Sequence, residues 1–272
     1  MDSVQSEIIK ALDIVNPFDA ETEVRRRVDF LKRQLKNSGL RVLVLGISGG
    51  VDSLTAGALA QRAVSELREE DYDATFIAMR LPYGIQADEN EAQQSLDFIQ
   101  PDRVITVNIK PAVDGMLEAI DDPFASDAER DFVKGNIKAR QRMIAQYAIA
   151  GNNKGLVIGT DQAPEALCGF FTKFGDGGAD ITPLTGLVKR YVRALAQHLG
   201  APANLVSKVP TADLEDLAPQ KPDESVFGVT YDEIDDFLLG QLDPNNERAM
   251  EILTKAYKAT AHKRALPYTP FS

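Results

Sequence analysis

The octapeptide Gly46-Ile47-Ser48-Gly49-Gly50-Val51-Asp52-Ser53 lies between two segments of different periodicity. Before it, residues 41–45 are almost wholly apolar and rich in β-branched side chains, which is typical of a strand buried on both faces of a parallel sheet. After it, Leu54, Ala58 and Leu59 recur at the spacing of one helix face. The sequence therefore predicts a strand, a glycine turn and a helix in succession.

The residue types of this octapeptide favour binding of a nucleotide phosphate. Adjacent glycines let the backbone approach a ligand closely, and a helix N-terminus offers unpaired N–H groups and a partial positive charge. Ser48 and Ser53 can donate hydroxyl hydrogen bonds, whereas Asp52 would repel a phosphate unless a metal ion lay between them. We therefore expect a nucleotide carried with Mg²⁺. The alternative is a glycine turn that binds no ligand. It requires that serine, two glycines, aspartate and a second serine occur together by chance.

Composition and charge argue against several other kinds of function. The formal net charge of −11 disfavours nucleic acid or an anionic membrane as the main partner. Cys168 is the only cysteine, so an intrachain disulfide is impossible and a reducing, cytoplasmic setting is expected. The sequence does not open with the basic-then-apolar pattern of a signal peptide. No apolar run approaches the roughly 20 residues that a membrane-spanning helix requires.

Strand and helix patterns alternate along the chain after the octapeptide. The predicted strands are residues 75–79, 103–107 and 155–160, and the predicted helices are residues 88–99, 110–120 and 127–150. Such repeated units predict an α/β fold, a doubly wound parallel sheet with helices on both faces. Ligands bind beyond the carboxyl ends of the strands in such sheets. We therefore expect Asp52, Arg80 and Thr160-Asp161 to converge at one edge.

Other elements flank this alternating region. Further helices are predicted at residues 2–14, 24–36, 188–199, 231–239 and 244–261, with a turn at 210–214 and a loop at 219–222. Residues 170–180 form a glycine-rich loop that carries three phenylalanines beside a lysine and two aspartates. Long loops of such mixed composition are more often functional than idle. We expect residues 1–272 to form one domain.

Several stretches together resemble one enzyme family. Residues 48–53 look like the pyrophosphate loop of the N-type ATP pyrophosphatases, which activate a carboxylate or carbonyl oxygen as an adenylate. Further stretches, in order along nearly the whole chain, resemble the NH₃-dependent NAD⁺ synthetases: Leu81-Pro82-Tyr83-Gly84, Gly135-Asn136-Ile137-Lys138-Ala139-Arg140, Ile158-Gly159-Thr160-Asp161, Gly169-Phe170-Phe171-Thr172-Lys173-Phe174-Gly175-Asp176-Gly177-Gly178, Pro210-Thr211-Ala212-Asp213-Leu214 and His262-Lys263-Arg264.

The resemblance implies a reaction, a cofactor and an assembly. Deamido-NAD⁺, ATP and ammonia would give NAD⁺, AMP and pyrophosphate through an adenylate, with Mg²⁺ as the metal ion. It implies a Rossmann-like ATP pyrophosphatase fold and a homodimer whose dinucleotide site lies at the two-fold interface. The sequence departs from the family pattern at Val51, where glutamine is common, and at Gln162, where histidine is common.

Functional residues carry over from the resemblance position by position. Residues 46–53 match the positions that hold the ATP phosphates, and Thr160, Lys189 and Thr211 match further ATP contacts. Asp52 and Glu165 match Mg²⁺ ligands, and with Lys189 they form the implied catalytic set. The positions that contact deamido-NAD⁺ in the family are matched by Arg140, Lys173, Asp180, His262 and Lys263.

Two other classes of function stay open at this point. Another ATP pyrophosphatase, such as a GMP synthetase-like or tRNA-modifying enzyme, would share residues 48–53 but not 169–178. The acidic charge and the absence of paired cysteines disfavour the tRNA case. A non-catalytic adenine-nucleotide-binding protein would not need Asp52 and Glu165 together. Use of glutamine would require a glutaminase domain with its own nucleophile. The resemblance to the synthetases covers nearly the whole chain and includes the single cysteine, Cys168, so we expect free ammonia rather than glutamine as the nitrogen donor.

Overall fold

The computed structural model of the chain describes residues 3–84, 88–212, 214–217 and 221–270. Within them the strands are β1 (Val42–Gly46), β2 (Thr75–Arg80), β3 (Arg103–Thr106), β4 (Gly155–Val157), β5 (Thr211–Ala212) and β6 (Lys221–Pro222). The helices are α1 (Ser3–Ala11), α2 (Ala20–Ser38), α3 (Val51–Glu69), α4 (Glu89–Ile99), α5 (Lys110–Ala119), α6 (Asp127–Asn153), α7 (Ala163–Cys168), α8 (Lys189–His198), α9 (Ala203–Val206), α10 (Asp223–Phe227), α11 (Tyr231–Leu238), α12 (Glu247–Ala259) and α13 (Ala261–Arg264).

Four strands pair in parallel, in the order β3-β2-β1-β4. Val44 of β1 lies opposite Ile77 of β2 on one side and Val157 of β4 on the other. From β1 the chain runs outward to β2 and β3, and it then returns to the opposite side of β1 to form β4. This reversal beside β1 is the switch point at which open α/β sheets bind ligands.

Both faces of the sheet are buried, because successive side chains of β1 contribute to different cores. Leu43 and Leu45 pack in a core with α2, α3, α4 and α8, whereas Val42 and Val44 pack in a second core with α5 and α6. An apolar residue at every position of a strand is what burial on two faces requires. The predicted doubly wound α/β fold is confirmed.

A third core lies beside the sheet. It joins α1, α7, α11 and α12 through side chains that include Ile8, Leu167, Ile234 and Leu253. The first predicted helix, α1, therefore packs against α11 and α12. None of the helices in the described ranges has the length and the apolar run needed to cross a bilayer.

Most predicted elements are found, with differences at their ends. The fourth strand was predicted to reach Thr160 but ends at Val157, because Ile158 bridges to the distant Ile181. The helix predicted for residues 127–150 continues to Asn153, and the one predicted for 244–261 ends at Ala259. Where a turn and a loop were expected, β5 and β6 form a short antiparallel pair. Asp213 of the predicted turn, residues 219–220 of the predicted loop and residue 2 of the first predicted helix lie outside the described residues.

Candidate active site

A cavity of about 580 Å³ lies beyond the carboxyl ends of β1 and β4. Its wall includes residues 46–48 and 50–53 of the glycine loop, and the predicted site residues Thr160, Glu165, Lys189, Thr211 and Lys263. These residues come from segments that are far apart in the sequence. The fold therefore brings together the predicted nucleotide-binding residues and one predicted deamido-NAD⁺ contact.

The glycine loop is shaped by close backbone packing and by internal hydroxyl bonds. Gly49 has a φ of 89°, and a Cβ atom there would lie 2.9 Å from the backbone nitrogen of Ala92. Ser53 Oγ donates to the Gly50 carbonyl at 3.1 Å and accepts the Ser48 N–H at 3.3 Å. Since Gly50 precedes the first turn of α3 and has no side chain, no side chain of its own caps that turn. This geometry suits an anion at the helix N-terminus.

Lys189 and Asp52 form the central ion pair of the cavity. Lys189 Nζ donates to Asp52 Oδ2 at 2.7 Å, and the lysine side chain is only 2% exposed. Asp52 Oδ1 is buried and has no partner among the described residues. A buried carboxylate oxygen without a donor is costly, and a bound cation would satisfy it.

Lys189 begins α8, where a positive charge opposes the helix dipole. The sequence analysis lacked the compensating group, which is the buried Asp235 of α11. Its carboxylate accepts the backbone N–H groups of Lys189 at 3.0 Å and of Arg190 at 2.8 Å. Asp235 therefore caps α8 and fixes the backbone from which Lys189 reaches Asp52.

Glu165 lies on the cavity wall near further acidic groups. It occupies the first turn of α7, and its Oε2 accepts the Gln162 N–H at 3.3 Å. Burial raises the pKa of Glu165 well above its ordinary value, with Asp52 and Asp161 adding to this effect and Lys189 opposing it. Burial, together with Asp176 and Asp52, raises the pKa of Asp161 to about 7. Glu165 and Asp161 therefore hold their protons to higher pH than ordinary carboxyl groups do.

The donor set fits a divalent cation that also binds phosphate. Asp52 supplies an unsatisfied oxygen and Glu165 a second carboxylate, and oxygen ligands are what Mg²⁺ prefers. The described part of the chain contains no group of three or more His, Cys, Asp or Glu residues arranged to hold a metal by themselves. Ligands from outside the protein, such as phosphate oxygens and water, must complete such a site.

The sequence analysis missed one cavity residue, Asp223, and the tyrosine that contacts it, Tyr231. Asp223 follows β6 at the start of α10; Tyr231 donates to its Oδ2 at 2.9 Å, while its Oδ1 is buried without a partner in the described chain. Burial raises the pKa of Asp223. Tyr231 also places its ring 5.1 Å from Lys189 Nζ. No local pattern signals these roles, because Asp223 directly follows a segment with the composition of a loop.

The predicted deamido-NAD⁺ contacts lie partly outside the cavity. Lys263 lines it and donates to the Gly169 and Phe171 carbonyls, both at 2.9 Å. The exposed Arg140 donates to the Lys173 carbonyl at 3.4 Å, and Lys173 Nζ donates to the His262 carbonyl. Arg140, Lys173 and His262 are therefore neighbours at the rim of the site.

Asp180 and Arg80 are engaged by the protein backbone. Asp180 Oδ2 accepts the Val157 N–H at 2.7 Å, so this carboxylate holds the end of β4. Its Oδ1 accepts the Tyr147 hydroxyl at 3.1 Å. Arg80 was expected to converge on the site. It donates to the Ile47 carbonyl and pairs with Glu89 at 2.7 Å, so it holds the backbone of the glycine loop.

Comparison with known proteins identifies one family. The family model described as NAD synthase matches residues 23–267. The chain is 59% identical over 271 residues to an NH₃-dependent NAD⁺ synthetase of Streptomyces coelicolor, with 98% of each chain covered. It is 58% identical over 272 residues to one from Burkholderia cenocepacia, covering 99% of this chain and 96% of the relative.

Solved structures share the fold of this chain. The crystal structure of NAD⁺ synthetase from Burkholderia pseudomallei superposes with a TM-score of 0.83 at 53% identity, covering 98% of both chains. The structure of NMN synthetase from Francisella tularensis superposes with a TM-score of 0.80 at 34% identity, covering 93% of this chain and 99% of that one.

Proposed function

This chain belongs to the NAD synthase family and is a ligase of the final step of NAD⁺ biosynthesis, and we propose how its residues perform that step. Ammonia replaces one oxygen of the nicotinate carboxylate of deamido-NAD⁺, and ATP is converted to AMP and pyrophosphate. A carboxylate does not release oxide to ammonia, so one of its oxygens must first become a leaving group. Attack of that oxygen on the α-phosphorus of ATP forms an adenylate and provides it.

Residues 46–53 are proposed to hold the ATP phosphates. Residues 51–53, in the first turn of α3, line the cavity, and close packing at Gly49 leaves no room for a side chain. Fixed N–H groups stabilise charge that develops on the phosphates during the attack. Thr160 and Thr211 lie in the same cavity wall and are proposed as further ATP contacts.

Lys189 is proposed to donate to a phosphate oxygen of ATP. Its ammonium group is already held in the cavity by Asp52, and Asp235 fixes its backbone. A lysine that is this well positioned lowers the barrier because little reorganisation is needed when negative charge moves during the reaction.

Asp52 and Glu165 are proposed as Mg²⁺ ligands, with Asp223 as a nearby carboxylate. This proposal is supported by the unpartnered oxygens of Asp52 and Asp223 and by the raised pKa of Glu165. When bound, Mg²⁺ screens the triphosphate and polarises the phosphoryl oxygens.

Arg140, Lys173, Asp180, His262 and Lys263 are proposed to bind deamido-NAD⁺. Support comes from the contacts that join Arg140, Lys173 and the backbone of His262 at the cavity rim. Lys263 continues this cationic group into the cavity. A dinucleotide bound along these residues would place its pyrophosphate at the rim and its nicotinate near Asp52 and Glu165.

A homodimer in the cytoplasm, made of single-domain subunits, is also proposed. Apolar side chains that are about half exposed lie on α5 and α6, which pack against each other: Met116 (49%) and Ile144 (51%). Apolar side chains of this size at a surface favour contact with another protein. Sedimentation velocity should give a dimer that Ile144→Glu weakens, whereas Leu266→Glu at another exposed apolar position should not. An active wild-type monomer would contradict the dimer.

One observation supports the proposed function above all: the glycine loop, which includes Asp52, lines the same cavity as Glu165 and Lys189. We test it with deamido-NAD⁺ labelled with ¹⁸O in the nicotinate carboxylate. Attack on the α-phosphorus leaves one labelled oxygen in AMP and none in pyrophosphate, and requires deamido-NAD⁺ for pyrophosphate release. Label in inorganic phosphate with formation of ADP, or pyrophosphate release that xanthylate supports equally well, would contradict the proposal.

A further inference from the structure

Phe174 has an unusual backbone conformation for its residue type. Its φ is +58°, a left-handed value that side chains with a Cβ atom adopt only at a conformational cost. The other non-glycine residues with positive φ in the described chain are Asp13, Asp71, Gln100 and Lys154. Those four are polar and follow helix ends, where a left-handed residue is common. Phe174 lies in the middle of the glycine-rich loop instead.

The loop around Phe174 is firmly held by α6. Gly175 N donates to the Thr172 carbonyl at 2.8 Å, and Thr172 Oγ1 donates to Asn136 Oδ1 at 3.0 Å. A Cβ atom at Gly175 would lie 2.9 Å from the Cβ of Thr172 and 3.1 Å from that of Ala139. The tight turn thus fixes the backbone on both sides of Phe174 and maintains its strained conformation.

The ring of Phe174 is nevertheless left in solvent, since 58% of the residue is exposed. Burial in this chain's own core therefore does not offset the strain. A strained backbone and an exposed aromatic ring are both unfavourable in the free protein, and strain that persists at one position is typical of functional sites. This combination indicates that the ring faces a ligand.

Cationic groups beside the ring restrict the chemistry of that ligand. Lys173 Nζ lies 5.3 Å from the ring centroid, and Arg140 donates to the Lys173 carbonyl at 3.4 Å. An aromatic surface next to two positive charges fits a base attached to a phosphate. Phe174 does not line the cavity that holds Asp52 and Glu165, so the base is not the reacting nicotinate.

We infer that Phe174 is a binding residue for the adenine base of the dinucleotide, which stacks on its ring at the cavity rim. This inference rests on the proposed placement of deamido-NAD⁺ along Lys173 and Arg140. It adds an aromatic contact for the half of the substrate that does not react. Phe174 then contributes to discrimination between the dinucleotide and substrates that lack the second base.

Phe174→Gly tests this inference because it removes the ring and also relieves the left-handed strain. We expect the Tm to be equal to or above that of the wild type. The KM for deamido-NAD⁺ should rise roughly five- to a hundredfold, the range that loss of one base–aromatic stack gives. The KM for ATP and the kcat at saturation should stay within about twofold. Phe174→Trp should keep the low KM for deamido-NAD⁺. Phe174→Leu keeps apolar bulk without a ring, and its KM for deamido-NAD⁺ should be raised as in the glycine variant.

Controls separate this inference from the proposed function. Lys173→Ala should raise the KM for deamido-NAD⁺ whether or not Phe174 binds the base, so an unchanged KM in that variant points to failure of the proposed site. A normal KM in Phe174→Gly beside a raised KM in Lys173→Ala would overturn the stacking role alone. A lower Tm with both KM values raised would show a structural role. A KM that depends on protein concentration, with dimer dissociation in sedimentation, would assign the ring to a subunit contact; either result overturns the inference.

Discussion

Glu66 on α3 and Glu165 on α7 are both glutamates near basic side chains, yet their pKa values shift in opposite directions. Burial acts to raise the pKa of Glu66, but hydrogen bonds from Arg25, Lys32 and Arg62 outweigh it and lower the pKa to about 2. The pKa of Glu165 is raised by burial and by neighbouring carboxylates. The same residue type is thus stabilised as an anion in one region and destabilised in the other.

The two glutamates differ in the number of cationic side chains that contact the carboxylate directly. Glu66 accepts from Arg25 at 2.6 Å, Lys32 at 3.1 Å and Arg62 at 3.2 Å across the α2–α3 surface. In the cavity, Lys189 bonds directly to Asp52, so Glu165 receives only its longer-range attraction. The α2–α3 cluster therefore supports the fold, whereas the cavity contains a buried carboxyl, Glu165, whose ionised form has no direct cationic partner to stabilise it. Three substitutions of a carboxylate by its amide, and one of a thiol by a hydroxyl, test this contrast.

Asp52→Asn should have the largest effect on activity. The amide oxygen can still accept from Lys189, so the fold is preserved, but the charge that the proposed Mg²⁺ requires is lost. We expect kcat/KM to fall by about 100-fold or more, as when one electrostatic contact to a transition state is removed. The matched control is Glu66→Gln, which should retain wild-type kcat/KM. Comparable activity of the two variants in a pyrophosphate-release assay would remove the proposed distinction.

Glu165→Gln should lose activity and yet gain stability. Because the folded-state pKa is raised above the ordinary value of 4.5, ionised Glu165 opposes folding, and the penalty grows as the pH rises above 4.5. The glutamine can still accept the Gln162 N–H, so the cap of α7 is kept. Relief of about 1 kcal/mol raises the Tm by roughly 2–4 °C at neutral pH. A Tm below that of the wild type in calorimetry at pH 7.5 would contradict this assignment.

Glu66→Gln should destabilise the chain by about 1 kcal/mol at neutral pH, which is typical of a surface ion-pair cluster. The folded-state pKa of about 2 lies below the ordinary 4.5, so the contribution of Glu66 is complete above pH 4.5. It is lost as the pH falls from about 4.5 to about 2. Urea unfolding of both proteins should therefore converge at acid pH. A difference that persists unchanged at pH 2 would exclude ion pairing as its cause.

Cys168→Ser should have the smallest effect, because Cys168 shares the acidic surroundings of Glu165. Burial and Glu165 raise the pKa of the Cys168 thiol to about 12, so a thiolate is essentially absent at neutral pH. We expect kcat with ammonium salts to change less than about twofold and glutamine to support no turnover by either protein. Glutamine-dependent NAD⁺ formation that is lost in Cys168→Ser would show a nucleophilic role.

Local sequence patterns predicted the sheet well because its signals are local. Every residue of β1 is apolar or glycine, and the octapeptide that follows shows the change to a helix without reference to distant segments. The end of β4 was mispredicted because it depends on a bridge between Ile158 and Ile181. Pairing across a loop leaves no trace in the periodicity of either segment.

The site was predictable only where a motif or the family resemblance marked it. Asp52 and Ser48 were marked by their position in the glycine loop, and Glu165 and Lys189 by resemblance. Asp235 acts on α8 from a position 46 residues away, and its role emerges only when α11 packs against α8. Contacts of this kind are set by tertiary packing, so sequence spacing does not indicate them.

Scanning calorimetry with and without MgATP tests the contrast between the two regions most directly. For the wild type, MgATP should raise the Tm, because a cation and its phosphates balance the carboxylates of the cavity. Glu66→Gln should begin from a lower Tm and show the same rise. Asp52→Asn should also begin from a lower Tm, because the buried Lys189 loses its counter-charge, but it should lose most of the MgATP-induced rise. A full MgATP-induced rise in Asp52→Asn, or its loss in Glu66→Gln, would contradict the assignment of the cavity carboxylates to the metal–nucleotide ligand.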